Sequence, residues 1–269
     1  MRFATDGLIL KEKESGENDK LLLVLTAERG KIWVCAKGGR SIKSQKSAIC
    51  RPFTFGELEI YEKHDRLWLS GGSPHNSFFA YQPNLTGYAL AAYIAEICDE
   101  ITGEGEDATE ILRATLNAFF ALDKELYPQS VIKSAYETFA TAVSGFCPEL
   151  DSCIKCGRTL ESTDNELWLD VMNGGTLCHE CFKTKSTAEI EGDTDAYETR
   201  NILLPLDSAS RMALKFCSSA PPNKLFKFSI TNAQSEAYFA HAAETYLKNH
   251  LERGFETLKI GRASCRERV

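Results

Sequence analysis

Two cysteine pairs constrain this chain more than any other feature: Cys153-Ile-Lys-Cys156 and Cys178-His-Glu-Cys181. Each pair leaves two residues between its thiols, so one tight turn aims both sulfurs at a single point, and two such knuckles complete a tetrahedron around Zn²⁺. The 21 residues between the pairs include Trp168-Leu-Asp-Val171 and Gly174-Gly175, enough for a short hairpin between the knuckles. Four thiolates leave no coordination position for water, which favours a structural metal over a catalytic one. A redox role for the thiols remains the alternative, and His179 could in principle replace a ligand. The six remaining cysteines are scattered, and a chain this long without an export signal does not suit a secreted disulfide framework.

The quartet divides the chain. Before it lie about eighty residues of strand-like sequence. "FATDGLIL", "LLLVLT" and "KIWVCAK" are separated by polar turns, and "FTFGELEIYEKHDRLWLS" reads as a hairpin turning near His64-Asp65. In "KIWVCAK", Ile32, Val34 and Ala36 take one face, and Trp33, Cys35 and Lys37 take the other. Five short strands with a glycine-marked bend suit a small closed barrel such as an OB-fold. After residue 80 the period changes to that of helices. Leu90, Tyr93, Ile94 and Ile97 share a stripe, as do Ile111, Leu112, Thr115, Phe119 and Leu122. Pro128 opens a third helix. "LDSASRMALKFCSS" and "NAQSEAYFAHAAETYLKNHLER" supply two more, the last with Phe239, Ala243, Tyr246, Leu247 and His250 on one side and Gly254 as its stop.

The expected fold class is therefore multidomain α+β. A barrel occupies 1–80, a helical domain 81–147 and 183–259, and a zinc-binding insertion 148–182. The last ten residues, "IGRASCRERV", have no hydrophobic period and read like a translated sequencing-library adapter. Residues 260–269 are set aside as a non-native tail, with the expectation that the natural chain continues beyond Lys259. Without a signal peptide or an apolar run near eighteen residues, the expected location is the cytoplasm, with no membrane association.

The chain carries a formal charge of −7, unevenly divided. Residues 1–80 hold 13 basic and 10 acidic side chains, net +3, leaving 18 against 28, net −10. Between Arg29 and Arg51 there are seven cations (Arg29, Lys31, Lys37, Arg40, Lys43, Lys46 and Arg51) and no acid. A run of charge can simply be solvated surface. On a strand, a Gly-Gly loop and the approach to the next strand, it also fits a groove that tracks a phosphate backbone, with Trp33, Trp68 or Phe53 as stacking platforms or as core. Enzyme motifs are missing: "AKGGRSIKS" has no Gly-Lys-Ser/Thr at phosphate-loop spacing, and neither H-E-x-x-H nor G-x-S-x-G occurs. No catalytic residue is expected.

These residues together resemble the RecO family of recombination and DNA-repair mediators. The likeness rests on "DGLILKEKESGENDKLLLVLTAERGKIWVCAKGGR" with "RPFTFGELEIY" after it, on the Cys153/Cys156/Cys178/Cys181 quartet between helices, and on "AYFAHAAETYLKNHLERGF". The resemblance implies an OB-fold, a helical domain and a zinc insertion. It implies binding of single- and double-stranded DNA, annealing of complementary strands, and a mediator role with RecR that loads RecA onto strands coated by single-stranded DNA-binding protein. That protein's acidic, hydrophobic C-terminal tail is implied as a partner of the helical domain. Lys37 and Arg40 fall in the family's basic loop, which Lys43, Lys46 and Arg51 extend. The acidic character after residue 80 would then concentrate DNA contact on the barrel, with Lys155 and Arg158 of the zinc module as further contacts. The alternatives are an RNA-binding protein and a zinc-stapled protein-interaction scaffold.

Overall fold

The computed structural model describes residues 2–41, 44, 46–80, 84–190 (backbone only over 185–190), 202–251 and 254–255. Lys43, the segment 191–201 and the tail from 260 lie outside them. The described residues divide into two compact units, one reaching Gln129 and joined by Phe255, and one of Ser130–Gly254.

In the first unit, β1 (Arg2–Ser15), β2 (Asp19–Thr26), β3 (Gly30–Ala36), β4 (Thr54–Lys63) and β5 (Arg66–Ser77) form a closed barrel in the order β1-β2-β3-β5-β4. β4 returns antiparallel onto β1, from Arg2 opposite Tyr61 to Leu8 opposite Phe55. The closing contact of β3 with β5 is parallel and short, pairing Val34 with Leu67 and Cys35 with Trp68. His64 (φ 51) and Asp65 (φ 55) make the β4–β5 turn in the left-handed conformations that a tight two-residue hairpin requires.

Alternation fills the barrel with Ile9, Leu22, Val24, Ile32, Val34, Leu58, Ile60 and Leu69, and Ile49 joins them from the β3–β4 connection. The run "LLLVL" in β2 is apolar on both faces for a reason. Leu22 and Val24 face the core cluster, while Leu23 and Leu25, on the opposite face, are also fully buried. α1 (Leu85–Ile101) packs on β1 and α2 (Thr109–Asp123) on β2. Asn84 caps α1, its side-chain oxygen accepting from the Gly87 N–H at 2.8 Å. Phe53 sits among Phe79, Tyr88 and Phe119 at ring-centroid distances of 6.0, 4.8 and 5.1 Å. It is a core residue, 3% exposed, and offers no face to a base.

From the sequence, α1 and α2 group with the later helices; in the structure they share a unit with the barrel. The α1–α2 loop makes the reason visible. The Gly103 carbonyl accepts from the Lys31 N–H at 3.1 Å, and the Gly105 N–H donates to the Arg29 carbonyl at 2.9 Å, so the loop completes the edge of β3. Gly30, at φ 59, is where the two backbones come closest; a Cβ there would stand 2.1 Å from the Gly103 oxygen.

The second unit holds α3 (Gln129–Val143), less its first residue, and a four-stranded sheet. That sheet runs β6 (Glu149–Cys153), β8 (Gly175–Cys178), β7 (Leu167–Asp170) and β9 (Leu203–Leu206), with α4 (His179–Ile190) between β8 and β9. β9 pairs antiparallel with β7, Leu167 opposite Leu206, so the sheet extends past residue 182, where the sequence ends the zinc insertion.

α5 (Ser208–Ser219) and α6 (Ala233–His250) complete the unit. Asp207 caps α5 by accepting from the Ser210 N–H at 2.8 Å and also accepts from the Ser235 hydroxyl, at the start of α6, at 2.6 Å. Arg211, 2% exposed, donates to the Leu150 and Glu161 carbonyls at 2.7 and 3.0 Å, fastening α5 to the sheet. Between α3 and α6, Lys133 lies 2.8 Å from both Glu137 and Glu244, and Lys248 also pairs with Glu244. Among the described residues, no helix is long and apolar enough to cross a membrane.

Candidate metal centre and nucleic-acid interface

The quartet assembles because each knuckle is built by a strand end and a turn. Cys153 closes β6, and the Gly157 N–H bonds back to its carbonyl at 2.8 Å with Gly157 at φ +73, which swings Cys156 round. Cys178 closes β8, and Cys181 follows in the first turn of α4. The four sulfurs lie within 4.8 Å of one another, with Cys156 Sγ and Cys178 Sγ 3.9 Å apart. Zinc–sulfur bonds of about 2.3 Å imply a tetrahedral edge of about 3.8 Å, so the donor set fits a metal ion of that kind.

Electrostatics at the quartet favour thiolate at Cys153 and oppose it at Cys181. Burial opposes ionisation of Cys153, but backbone N–H groups of Cys178, Cys156 and Lys155 point at its sulfur and outweigh burial, bringing its pKa down to about 6. Burial and the neighbouring sulfurs push Cys181 up to about 12. A cation at the centre would reverse that second effect. His179 turns its Nδ1 to Glu166 at 2.7 Å and stays outside the quartet. Trp168 stacks on Phe182 at 3.8 Å beside it.

The basic stretch is divided by its surroundings. Lys31 pairs with Asp99 at 3.1 Å, Arg40 with Glu14 at 3.0 Å, and Lys46 donates to the Leu69 carbonyl at 2.7 Å. Arg29 lies over the Phe3 ring, 4.3 Å from its centroid. Lys37 and Arg51 are exposed and make no ion pair or side-chain hydrogen bond among the described residues. Lys155 is exposed, whereas Arg158 is held by Asp164 through two contacts of 3.2 Å.

Trp33 stands on the outer face of the barrel, as alternation requires, with the Lys13 ammonium 5.0 Å from its ring centroid. Beside it opens a cavity of about 470 Å³ whose walls include Leu21, Trp33, Cys35 and Leu67. Its rim is Ser15 at the end of β1, Asp65 and Arg66 at the β4–β5 turn, and Glu104 from the α1–α2 loop. None of these rim residues stands out in the sequence. Arg66 and Asp65 belong to a hairpin turn, and Glu104 reaches β3 only through the Gly30–Glu104 bridge. The Lys13–Trp33 contact had a faint signal, since register sets Lys13 opposite Leu21 and Leu21 opposite Cys35 on one face. Trp68, half-buried and stacked on Tyr61 at 6.5 Å, does not line this cavity.

Comparison with known proteins finds two consecutive family matches along the chain, which meet between residues 78 and 82. Residues 1–78 match the family described as "Recombination protein O N terminal" and residues 82–259 match "Recombination protein O C terminal". The chain is similar to proteins named "DNA repair protein RecO". It is 24% identical over 254 residues to that of Acetivibrio thermocellus, covering 94% of each chain. With the Alkaliphilus metalliredigens protein it shares 27% identity over 215 residues, 80% of this chain and 86% of the relative. With the Bacillus subtilis protein it shares 30% over 178 residues, 66% of this chain and 68% of the relative. Matched along nearly its whole length in two consecutive segments, the chain belongs to the RecO family of DNA repair proteins.

Proposed function

We propose that this protein is a non-enzymatic DNA-binding recombination mediator. It binds single- and double-stranded DNA through the barrel, anneals complementary strands, and with RecR helps load RecA onto strands coated by single-stranded DNA-binding protein. The strand order β1-β2-β3-β5-β4 supports an OB-fold assignment for residues 1–80. The observation that carries the reading is the Trp33 cavity, set between the β1–β2 and β4–β5 turns on the β2–β3 side, where such barrels receive oligonucleotides. The exposed Lys37 follows directly from the same strand.

Annealing in this reading needs no reacting group, because screening of phosphate charge and outward display of bases suffice. The four cysteines would hold a structural Zn²⁺ whose binding is folding free energy for the 148–182 module. The helical segments would receive RecR and the acidic tail of single-stranded DNA-binding protein, and the protein would act in the cytoplasm.

The test is fluorescence anisotropy of a labelled single-stranded oligonucleotide at 50 and 200 mM salt. Each phosphate contact on a single strand contributes about 0.7 to the slope of log affinity against log salt. Lys37→Gln with Arg51→Gln should therefore lower the slope by about 1.4, making the loss of affinity over this fourfold salt range about sevenfold smaller. Lys31→Gln, which removes a cation already paired with Asp99, should leave the slope unchanged. Absence of oligonucleotide binding at either salt would refute the reading, and competition with an RNA of the same sequence separates it from an RNA-binding role.

A further inference from the structure

We infer that the cavity beside Trp33 is a nucleobase subsite: it takes one unpaired base from a bound single strand. The inference rests on the DNA-binding reading above and adds to it a location and a kind of ligand. The cavity, at about 470 Å³, falls in the size range of sites that bury a small planar ligand. Its walls supply an indole and aliphatic surface, the surroundings on which every base can stack regardless of sequence.

The rim decides between base and phosphate. It offers one cation, Arg66, against two carboxylates, Asp65 and Glu104. A phosphate placed there would meet net repulsion, whereas a base presents N–H donors to the carboxylates and acceptors to the guanidinium. Phosphates belong outside the rim, along Lys37 and Lys13. Lys13 has a second effect, since its ammonium over the Trp33 ring holds the indole in place on the barrel surface.

Duplex DNA keeps its bases stacked and paired, so it cannot fill this cavity without opening. The subsite therefore gives the barrel a preference for unpaired strand that phosphate contacts alone do not supply. During annealing the held base must leave the cavity before it pairs.

Cys35 makes the occupancy measurable, because its half-buried thiol lines the cavity, while the exposed Cys147 in the other unit serves as an internal control. The experiment compares three probes of equal length: a mixed-sequence single strand, the same strand with abasic residues throughout, and a blunt duplex. Alkylation of Cys35 and Cys147 by N-ethylmaleimide is followed by peptide mass spectrometry, and affinity is measured in parallel.

The single strand should slow Cys35 alkylation several-fold relative to Cys147, and the abasic strand and duplex should not. Trp33→Ala should weaken single-strand binding about 5- to 150-fold with little change for the duplex, and Trp33→Phe should restore most of the loss. A folded Trp33→Ala protein that binds the single strand normally, or equal protection of Cys35 by all three probes, overturns the subsite while leaving DNA binding intact. No binding of any probe overturns both.

Discussion

Gly30→Ala should be among the most damaging single-methyl changes in the first unit, for reasons that can be worked from two distances and an angle. At φ 59 an alanine must adopt the left-handed conformation, at a cost of about 1–2 kcal/mol. Its Cβ would lie 2.1 Å from the Gly103 carbonyl oxygen and 3.2 Å from that of Glu106, both backbone atoms that no rotamer change can move. The α1–α2 loop would have to retreat by about 1 Å. That retreat weakens two hydrogen bonds holding it to β3, Lys31 N–H to Gly103 and Gly105 N–H to Arg29, each worth about 1 kcal/mol net. The total is about 3–4 kcal/mol.

Gly105→Ala is the matched control. Its φ of +79 carries the same backbone cost, but nothing lies within 4 Å of the added methyl, so about 1–2 kcal/mol is expected. Urea unfolding of the three proteins, followed by circular dichroism, measures both. Equal losses in the two variants would refute the claim that the loop is locked against β3 at Gly30. Because Glu104 rides on the same loop, Gly30→Ala should also weaken single-strand binding more than duplex binding.

Three further outcomes are expected. Cys178→Ser should drop bound zinc well below one per chain and abolish amide protection in β6, β7 and β8, as measured by metal analysis and hydrogen exchange; full metal content in the variant would refute the quartet. Glu244 is pushed up by burial, but its bonds with Lys133 and Lys248 prevail and bring it from 4.5 to about 2. With its folded pKa depressed, its stabilising contribution is complete above about pH 4.5 and disappears as pH falls toward about 2, so Glu244→Gln should flatten the acid limb of the melting-temperature profile within that window. Arg211→Met should cost about 2–4 kcal/mol in denaturant unfolding, since it leaves the Leu150 and Glu161 carbonyls without their donor; a change under 1 kcal/mol would show that the guanidinium is not what ties α5 to the sheet.

What could be read from the sequence was whatever is local. The Cys-x₂-Cys spacing, the hairpin turn near His64-Asp65 and the apolar stripes of α1 and α2 are set by residues within a few positions of one another. What escaped depends on partners far along the chain. β9 carries only four residues, and β7, its partner, lies more than thirty positions earlier. Asp99 neutralises Lys31 from 68 residues away, so a count of charges in "ERGKIWVCAKGGR" overstates the free cations there. Glu104 and Arg66 reach the cavity only once the barrel has closed and the α1–α2 loop has bridged to Gly30.

The short parallel seam between β3 and β5 has a consequence for synthesis. Strands β1 to β3 can pair as consecutive hairpins, but closure joins Arg2 to Tyr61 and Val34 to Leu67, contacts that span thirty to sixty residues and form late. Glu104 arrives later still. In a growing chain the basic stretch is made first, and the pocket proposed for an unpaired base is incomplete until Glu104 has been added. In the reading proposed above, the order of strands would let the basic stretch meet phosphates before the base pocket is complete.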